Sequence, residues 1–143
     1  AGLLDSHFLQ DLPHNPRSRD YLANLLGGNR ADAVVLVAEA NGTPLGFVAA
    51  GHTRDKQSPS MAEVYAIYIT PARQQQNIGR LLFESCIANL RQKGFKTLHI
   101  WTFAANTPAR RAYQKWGGAP GNTTRTVLVG GDQLQEVGFD WAL

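Results

Sequence analysis

Apolar positions along the chain change their spacing several times, and each change marks an element. Residues 1–12 (AGLLDSHFLQDL) set Leu3, Leu4, Phe8, Leu9 and Leu12 as a short helical piece. A second helix is predicted next, with Asn15 as N-cap, Pro16 in its first turn, and Leu22, Leu25 and Leu26 as the apolar stripe before Gly27-Gly28. Ala33–Ala40 reads as a strand, Asn41-Gly42 as a tight hairpin turn and Pro44–His52 as the partner strand. After the polar loop Thr53–Ser60, the run Val64–Ile69 within Ala62–Ile69 predicts a buried strand, stopped by Thr70-Pro71 because proline cannot donate to a ladder. A polar segment, Ala72–Asn77, follows. From Ile78 to Lys93 the spacing is helical, with Ile78, Leu82, Cys86 and Leu90 on the buried stripe and Gly94 as the stop. Thr97–Phe103 predicts another strand, Thr107 caps a short helix beginning at Pro108, and Trp116-Gly117-Gly118 ends it. Two strands close the chain, Thr124–Val129 and Gln135–Trp141, joined across Gly130-Gly131-Asp132. The order α, α, β, β, β, α, β, α, β, β predicts an α/β (mixed α+β) fold, a mixed sheet with helices against it.

Composition narrows this picture in a few places. A chain of 143 residues suits one domain, residues 1–143, with its own core. The net charge of +3 favours an anionic small ligand, and no Lys/Arg run suggests a nucleic-acid partner. The single cysteine, Cys86, excludes an internal disulfide and points to a reducing, cytoplasmic setting. No apolar run reaches transmembrane length, so no membrane partner is expected. The chain starts with Ala1 rather than Met, which leaves room for residues upstream.

Candidate chemistry begins at the strand-to-helix connection. A strand leading through a polar turn into a helix N-terminus is an anion site, since backbone N–H groups and the helix dipole point the same way. An ordinary connection has the same local pattern. A second constellation adds weight: Asn106, Ala109, Tyr113 and Gly117 follow a strand and lie on a short helix. Together the two resemble the motif pair of the GNAT superfamily of N-acetyltransferases, which use acetyl-coenzyme A. The loop pattern Gln/Arg-x-x-Gly-x-Gly/Ala maps onto Gln74, Gln75, Gln76, Asn77, Ile78 and Gly79. The pattern Asn-x-x-Ala-x-x-x-Tyr-x-x-x-Gly maps onto Asn106, Ala109, Tyr113 and Gly117, and QEVGFDW resembles the last strand. The resemblance covers nearly the whole chain. Three departures stand out. Asn77 replaces the first loop glycine, asparagine being the next most tolerant residue of positive φ. Gly118 stands where a phenylalanine often follows the glycine. The strand that usually precedes the first helices has no counterpart here.

The resemblance implies a mostly antiparallel sheet with a V-shaped splay between the strands carrying the two motifs. It implies that backbone N–H groups from Gln75 to Arg80 cradle a pyrophosphate, with a side-chain contact from Gln74 or Arg73. Backbone groups of Ile67, Tyr68 and Ile69 would pair with the pantetheine arm, one N–H polarising the acetyl carbonyl. Asn106, Ala109 and Tyr113 would contact the coenzyme, and Tyr113 would protonate the departing thiolate. An amine acceptor is mostly protonated at neutral pH and must lose a proton before it attacks. Glu63 resembles the acidic residue that serves as base, directly or through water. Tyr65 and Tyr68 are candidates to line the acceptor pocket, and His52 and Asp55 are weaker base candidates. Trp101 is expected in the core, and Cys86, on a buried helix face, is no nucleophile. His99 has no visible partner, so it carries no role and no metal site is expected. The implied activity is acetyl transfer from acetyl-CoA, as co-substrate, to a primary amine of a small molecule or peptide in a ternary complex. A non-catalytic coenzyme A-binding or regulatory domain is the alternative. The final strands offer a surface for a homodimer.

Overall fold

Asn41 and Gly42 both take positive φ, 52° and 79°, the conformation in which an Asn-Gly pair reverses a hairpin without splaying its strands. They fold β1 (Val34–Ala40) onto β2 (Thr43–His52). The computed structural model describes residues 33–54, 59–70 and 77–143. The helices expected before Gly27 lie outside the described residues, as do Asp55, Arg73, Gln74, Gln75 and Gln76. After β2 come β3 (Met61–Ile69), α1 (Ile78–Gln92), β4 (Thr97–Phe103), α2 (Thr107–Lys115), β5 (Ala119–Val129) and β6 (Asp132–Ala142).

Among the described residues the six strands form one sheet in the order β1-β2-β3-β4-β6-β5. Every neighbouring pair is antiparallel except β3 and β4. The fold is thus the mixed α/β architecture with a mostly antiparallel sheet that the pattern predicts. Its first deviation is at β5, which begins at Ala119 rather than Thr124. Pro120 interrupts the ladder there, and the register shifts between Pro120 and Thr124. An edge strand tolerates such a break because one side needs no partner.

The central parallel pair is short. Met61–Val64 align with Thr97–Ile100, and beyond these residues the strands have no common ladder. The cause lies on the other side of β3. Ala50 aligns with Val64 and Ala49 with Ala66, so Tyr65 is an extra residue in the ladder. A bulge of this kind bends its strand and increases local twist, and β3 turns away from β4. This is the splay expected between the two motif-bearing strands.

Helix α1 buries Leu82, Phe83, Cys86 and Leu90. Phe83 takes the place expected for Ile78, which lies half-buried in the first turn where one side faces outward. The stripe packs with Val48, Ala50, Ala62, Val64, Ile67, Leu98 and Ile100, and Tyr113, Phe139 and Trp141 extend the same cluster. Strand alternation then fixes the opposite face. His99 and Trp101 lie there, between the buried Leu98, Ile100 and Thr102. Trp101, expected in the core, is therefore outside the helix-facing cluster. Gly118 is likewise not a gap in the packing. A Cβ on it would fall 2.5 Å from Trp141 Cζ2, so the indole already fills that space.

Candidate active site

The N-terminus of α1 is set by Asn77, whose φ of 62° and ψ of 10° place it in the left-handed region, and among the described residues no side chain caps the helix. Asparagine reaches this conformation at smaller cost than most residues, so the turn survives without the loop glycine. Leu81 N–H donates to Asn77 O at 3.0 Å. The N–H groups of Ile78, Gly79 and Arg80 therefore have no acceptor within the helix. The first turn carries no acidic side chain, so the helix itself supplies no negative charge at the positive end of its dipole. The Arg80 side chain is engaged by Glu84 at 2.9 Å, so its backbone amide is what faces the turn. Gly79 has a packing reason as well: a Cβ there would lie 3.2 Å from Trp116 and 3.5 Å from Ile69. The first motif is thereby seated directly on the end of β3 and the end of α2.

In the second motif, Asn106 rather than Thr107 is the N-cap. Its backbone is non-helical, and its side chain accepts from Ala109 N–H at 3.2 Å, while Thr107 already belongs to the helix. Ala109 packs against the core cluster. Gly117 takes φ of 94°, and Gly118 N–H donates back to Tyr113 O at 2.9 Å, closing the helix in the manner glycine permits. Tyr113 is 2% exposed. Its ring meets Phe139 edge-on at 5.7 Å and Trp141 at 6.2 Å. Burial pushes its phenol well above the ordinary tyrosine range, so the hydroxyl keeps its proton at neutral pH. Cys86 is also buried, its thiol pushed up to about 12 by desolvation, which makes it no nucleophile.

The opposite face of the sheet is built from charges. Glu63 is 2% exposed. Its Oε1 accepts from the Arg54 backbone N–H at 3.0 Å, and its Oε2 accepts from Arg54 Nε at 3.2 Å and Nη2 at 2.6 Å. The bulged Tyr65 donates its hydroxyl proton to His52 O, with the Arg54 guanidinium 5.0 Å above its ring. Burial first, then the Glu63 charge, push the Tyr65 phenol up to about 12 against the lowering effect of Arg54. Tyr65 is thus held as a strut rather than presented to a ligand. His52 Nδ1 donates to Thr53 O at 2.9 Å and its ring lies 6.3 Å from Phe95. Ile67 and Ile69 turn their side chains into the helix-facing cluster, and Tyr68 between them faces the other way. Its hydroxyl is buried with no hydrogen-bond partner among the described residues.

Two arrangements on this face were not legible from spacing. His99 Nδ1 lies 2.5 Å from Asp140 Oδ1, 41 residues away in the chain. Arg125 stacks over the Trp101 ring at 4.0 Å and bonds Glu136 through Nε at 2.7 Å. Only the register of β4 on β6, where His99 aligns with Asp140, brings the first pair together.

The start of α1, the opening between β3 and β4 and the buried Tyr113 on the adjoining short helix are thus brought together. By sequence comparison the chain belongs to the Acetyltransferase (GNAT) family, whose profile matches residues 3–118. Among its relatives, the uncharacterized N-acetyltransferase YuaI of Bacillus subtilis (strain 168) is 31% identical over 76% of this chain and 61% of its own length. The mycothiol acetyltransferase of Nocardia farcinica is 38% identical over 52% of this chain, which spans only 25% of that protein. In structure, the ribosomal-protein-S18-alanine N-acetyltransferase of Escherichia coli superposes with a TM-score of 0.70 at 22% identity, over 96% of this chain and 84% of its own. The protein yncA of Salmonella typhimurium, solved with its cofactor acetyl-CoA, has a TM-score of 0.70 at 23% identity, over 88% and 71% of the two chains. At these identities the superpositions speak for the fold.

Proposed function

We propose that the protein is an N-acetyltransferase that passes the acetyl group of acetyl-CoA to a primary amine by direct attack in a ternary complex. The observation that carries this reading is the parting of β3 and β4 beyond Val64 and Ile100, between an uncapped helix N-terminus and Tyr113. The residues fit the coenzyme. The first-turn amides Ile78–Arg80, approached through Gln74–Asn77, would hold the pyrophosphate. The unladdered edge of β3 at Ile67, Tyr68 and Ile69 would take the pantetheine, and Asn106, Ala109 and Tyr113 would stand at its thiol end. When bound, acetyl-CoA supplies an activated thioester. Tyr113, kept protonated by burial, then holds a proton for the departing sulfur. Glu63 serves as the base only if Arg54 moves aside, because three N–H contacts already occupy its oxygens.

The acceptor is a small-molecule or peptide amine, consistent with relatives and neighbours named for mycothiol and for a ribosomal-protein alanine. Calorimetric titration with acetyl-CoA tests the coenzyme site, and absence of binding at high micromolar concentration would sink the proposal. Thiol release above background hydrolysis, screened over primary amines, separates the enzyme from a domain that only binds or senses coenzyme A. The occupied Glu63 carboxylate is the one feature that favours the second reading.

A further inference from the structure

We propose that His99, oriented by Asp140, takes the proton from the acceptor amine in place of Glu63. The proposal rests on the N-acetyltransferase reading above. Asp140 offers only acceptor oxygens when ionised, so its 2.5 Å contact assigns the proton to Nδ1 of His99. In the neutral ring Nε2 then carries the lone pair. That atom is buried and has no hydrogen-bond partner among the described residues. An imidazole held through one nitrogen by a carboxylate, with the other nitrogen unengaged, is set up to accept a proton.

Three further observations bear on where that lone pair points and what it meets. First, Glu63 aligns with His99 across β3 and β4, and His99 aligns with Asp140 across β4 and β6. The three side chains share one row on the face away from α1, and Glu63 in that row is already held by Arg54. Second, two more buried polar atoms on this face lack partners among the described residues, Trp101 Nε1 on β4 and Tyr68 Oη on β3. They belong to the two strands that part, so the unmet hydrogen-bonding capacity is gathered around the opening and calls for a polar ligand there. Third, the His99 ring is fixed in place. Trp101 meets it edge-on at 4.7 Å. Gly138 leaves room for it, since a Cβ there would come within 2.5 Å of Cε1 and 2.9 Å of Nε2.

The charges around His99 suit an ammonium. Glu63 and Arg54 face it from the β3 side, Asp140 and Glu136 from β6, and Arg125 from β5, engaged by Glu136. Three carboxylates against two guanidinium groups leave one negative charge in excess. Tyr113 lies in the cluster on the opposite face of the sheet. The proton therefore leaves the amine on one side and the sulfur receives its proton from the other. In balance, the ammonium gives a proton to Nε2, and its nitrogen forms a C–N bond to the thioester carbonyl carbon. The C–S bond breaks with its electron pair on sulfur, and the thiolate takes the Tyr113 proton. The nitrogen gives its second proton to solvent as the amide forms, the phenolate takes a proton back from solvent and the imidazolium releases its own, so one proton is set free in each turnover.

Nitrogen-15 NMR of the histidine rings in the coenzyme-free protein is the direct test. Followed across a pH series, the neutral ring of His99 is expected as the Nδ1–H tautomer with Nε2 unprotonated, and Asp140→Ala is expected to release that preference. An Nε2–H tautomer in the unaltered protein overturns the proposal without any variant having to fold. Activity is measured as thiol release from acetyl-CoA with spermidine, an alanine-initiated tripeptide and an aminoglycoside. His99→Gln should lower kcat/KM by about 100-fold at neutral pH, the order expected for general-base loss. Acetyl-CoA affinity should not change, and the deficit should narrow as alkali deprotonates the amine. Glu63→Gln should lose less and keep the acidic limb of the pH profile. The reverse pattern, with the limb lost in Glu63→Gln and kept in His99→Gln, overturns the assignment. An unaltered protein that releases no thiol with any amine overturns the enzymatic reading itself. A His99→Gln variant as active as the parent overturns this proposal alone.

Discussion

The two faces of the sheet around the opening between β3 and β4 are built on different principles. The helix face is apolar and continuous: Phe83, Cys86, Leu90, Tyr113, Phe139 and Trp141 pack as one cluster, with Ile78, Ala109 and Trp116 at its rim. The other face carries Glu63–Arg54, His99–Asp140 and Arg125–Glu136, together with polar atoms that have no partner. A coenzyme common to a family can be held by backbone amides and a fixed helix geometry. An acceptor that varies from member to member needs side chains whose charge can vary. Under the function proposed above, the division of labour between the faces would follow from that difference.

The contrast can be broken most severely from the helix face. Phe83→Ala removes a side chain 1% exposed at the centre of the cluster, and a loss of about 3–5 kcal/mol is expected, measured by urea unfolding. Tyr113→Phe keeps the packing and removes only the proton. Turnover should fall by about 100-fold while calorimetric acetyl-CoA affinity stays within a factor of a few, and an unchanged rate would remove Tyr113 from the acid role. On the charged face, Arg54→Ala strands a buried carboxylate. Since Arg54 is itself half-exposed, a loss of about 1–3 kcal/mol is expected, with less loss in Arg54→Ala combined with Glu63→Gln. Asn77→Ala should cost about 1 kcal/mol through its left-handed backbone and weaken coenzyme binding, whereas Asn77→Gly should preserve both.

The smallest effect concerns alkaline pH. Tyr65 and Tyr113 both have folded pKa values raised above the ordinary 10.0 by burial. The unfolded chain therefore loses these protons first. The stability they confer is complete below pH 10 and declines as pH climbs toward the folded values. Tyr65→Phe should flatten the alkaline limb of a stability profile measured by thermal melting, and no change in slope would contradict the burial argument.

Local elements were largely readable. Thr97–Phe103 was bounded as the structure has it, and Asn77 was recognised as a residue able to take positive φ in place of glycine. These depend on interactions within a few residues of the chain. The errors share the opposite character. Asn106 and Thr107 both suit a cap by residue type, and the non-helical backbone of Asn106 decides between them in the folded chain. Trp101 was expected in the core because an aromatic on a strand says nothing about which face its strand turns toward the helices. His99 was given no role because its partner is 41 residues away.

By its own pattern of residues this chain determined a mixed sheet, a helix N-terminus free of acidic side chains and a tyrosine placed on the next short helix. Those features arise from strand and helix periodicity, proline and glycine stops, and the tolerance of single residues for particular backbone angles. The tertiary structure alone decided how β3 and β4 part, through a bulge at Tyr65 that exists only against β2. It also decided that Glu63, His99 and Asp140 stand in one row. Register between distant strands sets such neighbours, because contacts across a sheet are fixed by ladder pairing and have no counterpart in local sequence spacing.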